Sequence, residues 1–279
     1  MSTGYDRPIG PWPRKEMPPE AIRLIAPEEL RAWILFEDER LLVLNKPGDV
    51  VCHPSKAGPW SSVVGAAREY LGGGAMHLVF RLDRETSGVV LIAKDERTAQ
   101  RLQKAATKRR YAKAYLAILV GELAAETVVD QPLGPDFSGP VVAKTGVVSA
   151  EQGKPAVTRF TPLAVGGGFT LARVTTETGR KHQIRAHAQW LGFPLVGDKI
   201  YGPDQRLYLE FIDSGWTPAL ESRLLLRRQA LHCAEIDLTP AGERHVFRAC
   251  FPEDLAAFAL ERMGEVVRSV VVELQGSEG

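Results

Sequence analysis

Cysteine is scarce in this 279-residue chain: Cys52, Cys233 and Cys250 are an odd number with no CxxC spacing. That pattern excludes a disulfide framework and a zinc ribbon, and predicts reduced thiols. The six histidines include no HExxH, and His182 and His187 are five apart, which does not put both on one helix face. No metal centre is expected. Long apolar runs are missing too: Val89 to Ala93 and Leu116 to Val120 fall far short of the roughly 20 residues that cross a bilayer. The first 20 residues hold five prolines (Pro8, Pro11, Pro13, Pro18, Pro19) and no apolar signal core. Residues 1–25 are therefore expected to be a proline-rich tail on a cytoplasmic protein that avoids membranes. Phosphate-loop signatures fail: Gly153-Lys154 runs into Pro155, and neither Gly72-Gly73-Gly74 nor Gly166-Gly167-Gly168 forms a GxGxxG between strand and helix. No cofactor is expected. An excess of charge is absent as well, the formal net charge being +1.

What is present suffices for a substantial core, since 44% of the residues are hydrophobic. Trp33 to Phe36 and Leu41 to Leu44 flank a charged segment and predict a hairpin, ended by the turn residues Asn45 to Asp49. Ser61 or Ser62 caps a helix running to about Leu71, which Gly72 to Gly74 stop. Met76 to Phe80, Val89 to Ala93 and Ala114 to Val120 are expected strands, and Asp95 is an N-cap. Residues 122–155 predict a β excursion or long loop. Val157 to Leu163 and Phe169 to Thr175 predict a strand pair, and helices are expected from about His182 to Leu191 and near Glu253 to Met263. Strands in adjacent pairs, without strict βαβ alternation, predict an α+β domain over residues 26–279, with a mixed, largely antiparallel sheet and flanking helices.

Two stretches set chemistry beside buried-looking sequence. In Arg81-Leu82-Asp83-Arg84-Glu85-Thr86-Ser87-Gly88, an acid and two arginines are squeezed into a turn between apolar runs, and Gly88 allows a close backbone approach. In Thr178-Gly179-Arg180-Lys181-His182-Gln183-Ile184-Arg185, donors to anions gather where an amphipathic helix begins. Charge is distributed unevenly: Arg97 to Lys113 holds seven basic residues and no acid, whereas the chain after Pro252 is rich in Glu. The basic run reads either as a solvated helix face or as a phosphate-contacting stripe lining a basic cleft.

In this order these motifs resemble the RluA-type pseudouridine synthases, which isomerise uridine within RNA. The resemblance rests on Arg81 to Gly88, Lys113 to Ala117, and Thr178 to His187. It is extended by Gly192-Phe193-Pro194, Gly197 to Gly202, Gln229 to His232, Pro252-Glu253-Asp254, and Leu42 to Pro47 with His53-Pro54. Phe80 departs from the family, which often has His before the RLD core, and Gly48-Asp49-Val50 replaces a more usual turn. No S4-like RNA-binding module is recognisable ahead of residue 33.

The reaction breaks an N-glycosidic bond, turns the base, forms a carbon bond and removes a proton, with no redox change. One well-placed carboxylate can begin it as nucleophile or base, and Asp83 is the candidate. To stay ionised in a pocket filled by a base it needs a cation beside it. The resemblance implies Arg185, while the sequence alone leaves Arg180 as an alternative. Tyr115 is implied as the residue stacking on uracil and removing its proton, and otherwise reads as a core tyrosine. Leu231 reads as a core residue or as the apolar wall opposite. A stacked uridine must be extruded, so Arg81 is expected either to fill the gap or to sit at the surface paired with Glu85. Arg109, Arg110, Lys113, Arg180 and Lys181 are the expected phosphate contacts. The expected partner is structured RNA, a tRNA or rRNA stem-loop, met by a monomer. An RNA-binding or RNA-folding protein with dispensable chemistry, and an enzyme acting on free uridine, are the competing readings.

Overall fold

The computed structural model describes residues 23–53, 58–142 and 144–276. Nearly all of the proline-rich stretch, and Pro54 of the His53-Pro54 pair, lie outside the described residues. The α+β expectation holds: a large mixed sheet carries helices against its faces.

β1 (Ile34–Glu37) and β2 (Leu41–Lys46) form the expected hairpin. The turn is fastened by Asp38, whose Oδ1 accepts from the backbone N–H of Arg40 at 2.7 Å and of Leu41 at 2.6 Å. β2 runs antiparallel to β4 (Ser87–Ala93), which is buried along its whole length. Burial on both faces is why Val89 to Ala93 shows no alternation. β3 (His77–Leu78) is shorter than the strand expected over Met76 to Phe80. The reason is competition for one strand edge: β3 pairs with Ala93 and Ile92 of β4, whereas Ser87 and Gly88 pair with β11 (Leu231–Asp237). Beyond Val79, whose N–H still donates to Leu91 O at 3.1 Å, the chain must leave the sheet.

The other strands are β5 (Ala112–Val120), β6 (Thr127–Asp130), β9 (Val157–Gly166), β10 (Phe169–Thr176) and β12 (Val246–Arg248). The order across the main sheet is β1-β2-β4-β11-β5-β10-β9-β6, with β12 added to β11. β7 (Leu133–Pro135) and β8 (Thr145–Val147) make a separate ribbon, so residues 122–155 are the β excursion. Only β4 and β11 run parallel among these pairs. A parallel neighbour needs a long crossover, and this one joins residues 145 positions apart, Ser87 and His232. It brings the starts of β4 and β11 to the same end of the sheet. Gly88, Cys233 and Tyr115 then lie side by side on three adjacent strands. Gly88 sits at φ +111°, and a Cβ there would come within 2.2 Å of Cys233 O, so this strand contact admits only glycine.

Eight α-helices are seen among the described residues. α1 (Pro27–Ala32) and α2 (Val63–Tyr70) pack near the hairpin; Ser62, not Ser61, caps α2, its Oγ accepting from Gly65 N–H at 3.2 Å. α3 (Glu96–Thr107) is capped by Asp95 as expected. α4 (Gln183–Leu191) ends at Gly192, at φ +88°. α5 (Arg206–Ser214) and α6 (Pro218–Leu224) fill the connection to β11, and α7 (Glu253–Met263) and α8 (Glu265–Gln275) close the chain.

β5 divides the interior by its period of two. Leu116 and Ile118 join Phe169 and Leu171 in packing against Phe251 and against Leu255, Phe258 and Val267, the apolar stripe of α7 and α8. Tyr115, Ala117 and Leu119 face the other way, with Leu231, Cys233 and Val174. That second face carries the site.

Candidate active site

Having left the sheet at Val79, the chain passes through Leu82, which is buried, between Arg81 and Asp83, which are not. By this alternation Arg81 and Asp83 point to the same side of the segment. The turn that follows is closed by Thr86 N–H donating to Asp83 O at 3.1 Å. It is then tied to its surroundings at almost every residue. Lys46 is fully buried, and its ammonium donates to Pro47 O, Val50 O and Arg84 O at 2.7, 2.9 and 3.0 Å. Burial pulls its pKa down to about 8. Glu85 accepts from Lys199 Nζ at 2.7 Å and Gln229 N at 3.3 Å, Thr86 Oγ1 accepts from Gln229 Nε2 at 2.6 Å, and Ser87 Oγ meets His232 Nδ1 at 2.9 Å. A carboxylate on such a turn is held in place by polar contacts drawn from three distant stretches.

Arg185 is the cation beside it. Two residues into α4, its side chain is only 7% exposed, and Nη1 donates to Asp83 Oδ2 at 2.8 Å. The remaining edge of the guanidinium is taken by Asp198, which accepts from Nε at 2.6 Å and Nη2 at 2.8 Å in a bidentate pair. Asp198 also accepts from Ile200 N and Tyr201 N, both at 3.0 Å, so a fully buried carboxylate has every need met. The Tyr201 ring lies 4.9 Å from the guanidinium carbon. Burial would raise the Asp83 carboxyl, but the Arg185 charge, His182 and hydrogen bonds from Arg185 and Gln229 outweigh it, so its pKa lies below the ordinary value. At 32% exposure the Asp83 side chain is ionised, oriented and still open to a ligand.

Of the two arginines left open by the sequence, the structure brings Arg185 to Asp83. Arg180 Nε instead donates to Pro155 O at 3.1 Å. Tyr115 is 8% exposed on the same face, where burial pushes its phenol pKa up and its hydroxyl shares a hydrogen bond with Cys233. Asp83 lies near enough for its charge to add to that rise. Leu231 is 5% exposed and packs with Tyr115 and Cys233 in the same cluster. Lys113 precedes Tyr115 on that face; its ammonium stands 4.7 Å from the Phe80 ring and 5.8 Å from that of Tyr111, and burial lowers its pKa. Phe80, the departure from the family pattern, thus serves as a cation-facing wall.

The basic residues diverge. Arg109 is exposed, at φ +55°, with Nη1 3.6 Å from Glu177, just ahead of Thr178. Lys181 is exposed beside Arg180. Arg110 reaches Pro240 O at 3.2 Å, and Arg101 pairs with Glu243, so part of the basic run serves the β11–β12 edge. Arg81 is exposed and has no hydrogen bond or ion pair among the described residues; Glu85 is engaged by Lys199.

A family model described as RNA pseudouridylate synthase matches residues 40–190, more than half of the chain and the segment that carries Asp83, Tyr115 and Arg185. The chain belongs to that family. As a pseudouridine synthase it is an RNA-modifying isomerase, acting on uridine in RNA. It is 35% identical over 231 residues to the ribosomal large subunit pseudouridine synthase D of Vibrio parahaemolyticus, covering 80% of this chain and 68% of that one. With the protein of the same name from Escherichia coli strain K12 it shares 32% over 236 residues, 82% of this chain and 70% of the other. Among solved structures it resembles human RNA Pseudouridylate Synthase Domain Containing 4, with a TM-score of 0.66 and 26% identity over 85% of this chain and 94% of that one. Human RNA Pseudouridylate Synthase Domain Containing 1, at a TM-score of 0.61 and 22% identity over 92% and 96%, shares the fold. No helix among the described residues is long and apolar enough to cross a membrane.

Sequence reasoning did not single out Asp198, Tyr201, Lys46 or His182 for a part in the site. Asp198 and Tyr201 sit in the Gly197 to Gly202 motif, Lys46 at the end of β2. The available signal was an acid and a lysine inside otherwise apolar sequence, where charge is rarely left without a partner.

Proposed function

We propose that this synthase isomerises uridine in structured RNA with the Asp83 carboxylate as the group that opens the reaction, on a nucleotide flipped into the pocket over Tyr115. One observation carries the reading: an ionised carboxylate held at 2.8 Å by a buried guanidinium, yet a third exposed at the mouth of an apolar floor. The ion pair keeps Asp83 charged in a site that fills with base, and Asp198 keeps Arg185 from turning away. Atoms balance without a cofactor: the N1–C1′ bond breaks, the C5–C1′ bond forms, C5 loses a proton and N1 gains one.

Tyr115 and Leu231 supply the flat and apolar walls for the ring. The phenol of Tyr115 stays protonated at neutral pH, so it takes the C5 proton only in concert with passing its own on toward N1, the atom that gains one. Extrusion costs a few kcal/mol of stacking, less in a loop than in a duplex. Exposed Arg81, on the Asp83 side of its segment, fills the vacated place in the RNA. Lys113, Arg109, Arg180 and Lys181 line the approach as phosphate contacts; Arg110 contributes from its flank. The names of the bacterial relatives favour ribosomal over transfer RNA.

The test is Asp83→Asn. RNA affinity stays within a few-fold, and pseudouridine at the site found by transcriptome-wide mapping of cells with and without the gene disappears. Isomerisation by the variant refutes the assignment. Rescue of a deletion strain by Asp83→Ala would instead support an RNA-folding role.

A further inference from the structure

His182 is used by none of the steps above, yet its ring is fixed by a hydrogen bond to Tyr201. It is the residue before α4 and lies at φ +55°, ψ 21°, a left-handed conformation that is uncommon for a side chain of this size. Its Nδ1 is 3.0 Å from Tyr201 Oη, and that oxygen also accepts from Thr145 N–H at 2.9 Å. Tyr201 is fully buried, and burial pushes its pKa well up, so the hydroxyl keeps its proton. Were Nδ1 the protonated nitrogen, the phenol proton would have no acceptor among the described residues. The arrangement is satisfied only when Tyr201 donates to Nδ1, which leaves the proton of the neutral ring on Nε2. Burial holds the ring neutral, its pKa lowered to about 4.

That Nε2 lies 3.9 Å from Asp83 Oδ2, too far for a direct hydrogen bond. A donor and an acceptor therefore converge on one point, which an oxygen at about 2.8 Å from each would occupy. The oxygen must both donate to the carboxylate and accept from the N–H. A uracil carbonyl has no proton to give. The N3–H edge of the base lies away from the glycosidic bond that Asp83 must approach. The ribose 2′-hydroxyl adjoins the glycosidic carbon and has both capacities.

We propose that His182, fixed as its Nε2–H tautomer by Tyr201, binds the 2′-hydroxyl of the flipped uridine together with Asp83, and so makes the site select ribonucleotide at the target position. The inference rests on the reading of Asp83 as the reactive carboxylate.

The test is a cycle between protein and substrate. Stem-loop RNA carrying the mapped site is synthesised with uridine or with a single 2′-deoxyuridine at the target, and single-turnover kcat/KM is measured for wild type and for His182→Asn, a residue that tolerates the left-handed backbone. Loss of one such hydrogen bond corresponds to roughly 3- to 10-fold. His182→Asn is expected to lose that factor on uridine and to discriminate less than wild type against 2′-deoxyuridine. Tyr201→Phe, which frees the tautomer, shifts the same ratio in the same direction and replaces the first variant if that one fails to fold. An unchanged discrimination ratio in the folded variants overturns the inference, water then being the bridging oxygen. Isomerisation of the uridine RNA by Asp83→Asn would instead count against the reading of Asp83.

Discussion

The two faces of β5 were built for opposite purposes from alternate residues of one strand. Leu116 and Ile118 look toward α7 and α8, where apolar groups meet apolar groups and Phe169 sets its ring edge-on to Phe258 at 5.3 Å. Tyr115, one position away, looks toward a floor shared with Cys233 and Leu231, over which Asp83, Arg185 and His182 are gathered. The first face derives its energy from area removed from water, and tolerates any packing of about the right volume. The second keeps charges in a nearly dry place, which is favourable only while every partner is present. The molecule thus hangs a demanding polar site on a sheet whose other side supplies undemanding stability.

Substitutions on the two faces should therefore fail differently. The largest effect expected is that of Asp83→Asn, a loss of about 10³-fold or more in single-turnover rate with melting temperature nearly unchanged. A comparable drop in melting temperature would make the carboxylate a structural group. Arg185→Ala comes next and breaks the contrast, because it abandons the buried Asp198 carboxylate as well as Asp83. A loss of about 3–5 kcal/mol in urea unfolding is expected along with the activity, and an unchanged midpoint would mean that Asp198 is satisfied by its backbone donors alone. Phe258→Ala sharpens the contrast from the far side. It should cost about 3–5 kcal/mol of stability while the rate per folded molecule stays within about two-fold; a lower rate would show the faces to be coupled.

The smallest effect concerns pH. Because the folded pKa of Asp83 is depressed, the stability from its ion pair is complete above the unfolded value of about 3.9 and is lost only as pH falls through the folded value. His182, with a pKa lowered to about 4, is neutral from about pH 5 upward. The rate should then show no acidic inflection between about pH 5 and 7. An inflection there would assign a group near the ordinary histidine value to the reaction.

Much of this was legible along the chain. Asp83 stood out because its motif combines charge with apolar neighbours, Tyr115 and Arg185 were implied by the family resemblance of theirs, and the helix at Gln183–Leu191 announced itself by its period and by Gly192. The strand after Met76 was overestimated because its apolar residues gave no sign that β11 would claim the same edge of β4. The final helix, Glu265–Gln275, went unread: five of its residues are valine, which favours strands locally, and only packing on α7 and β9 makes it helical. Asp198 and Tyr201 were in view as letters of a motif, but the role of each depends on a partner elsewhere in the sequence.

By itself, then, the sequence determined the type of domain, the acid proposed for its chemistry and the candidates for its counter-ion, because local patterns of polarity and turn residues are written one neighbour at a time. Tertiary structure alone chose Arg185 over Arg180, gave that arginine its second acid, turned Arg110 toward Pro240 and set Tyr201 against the ring of His182. Those choices are made between groups as many as 102 and 130 positions apart along the chain, and a hydrogen bond depends on ångströms in space, which no spacing in sequence records.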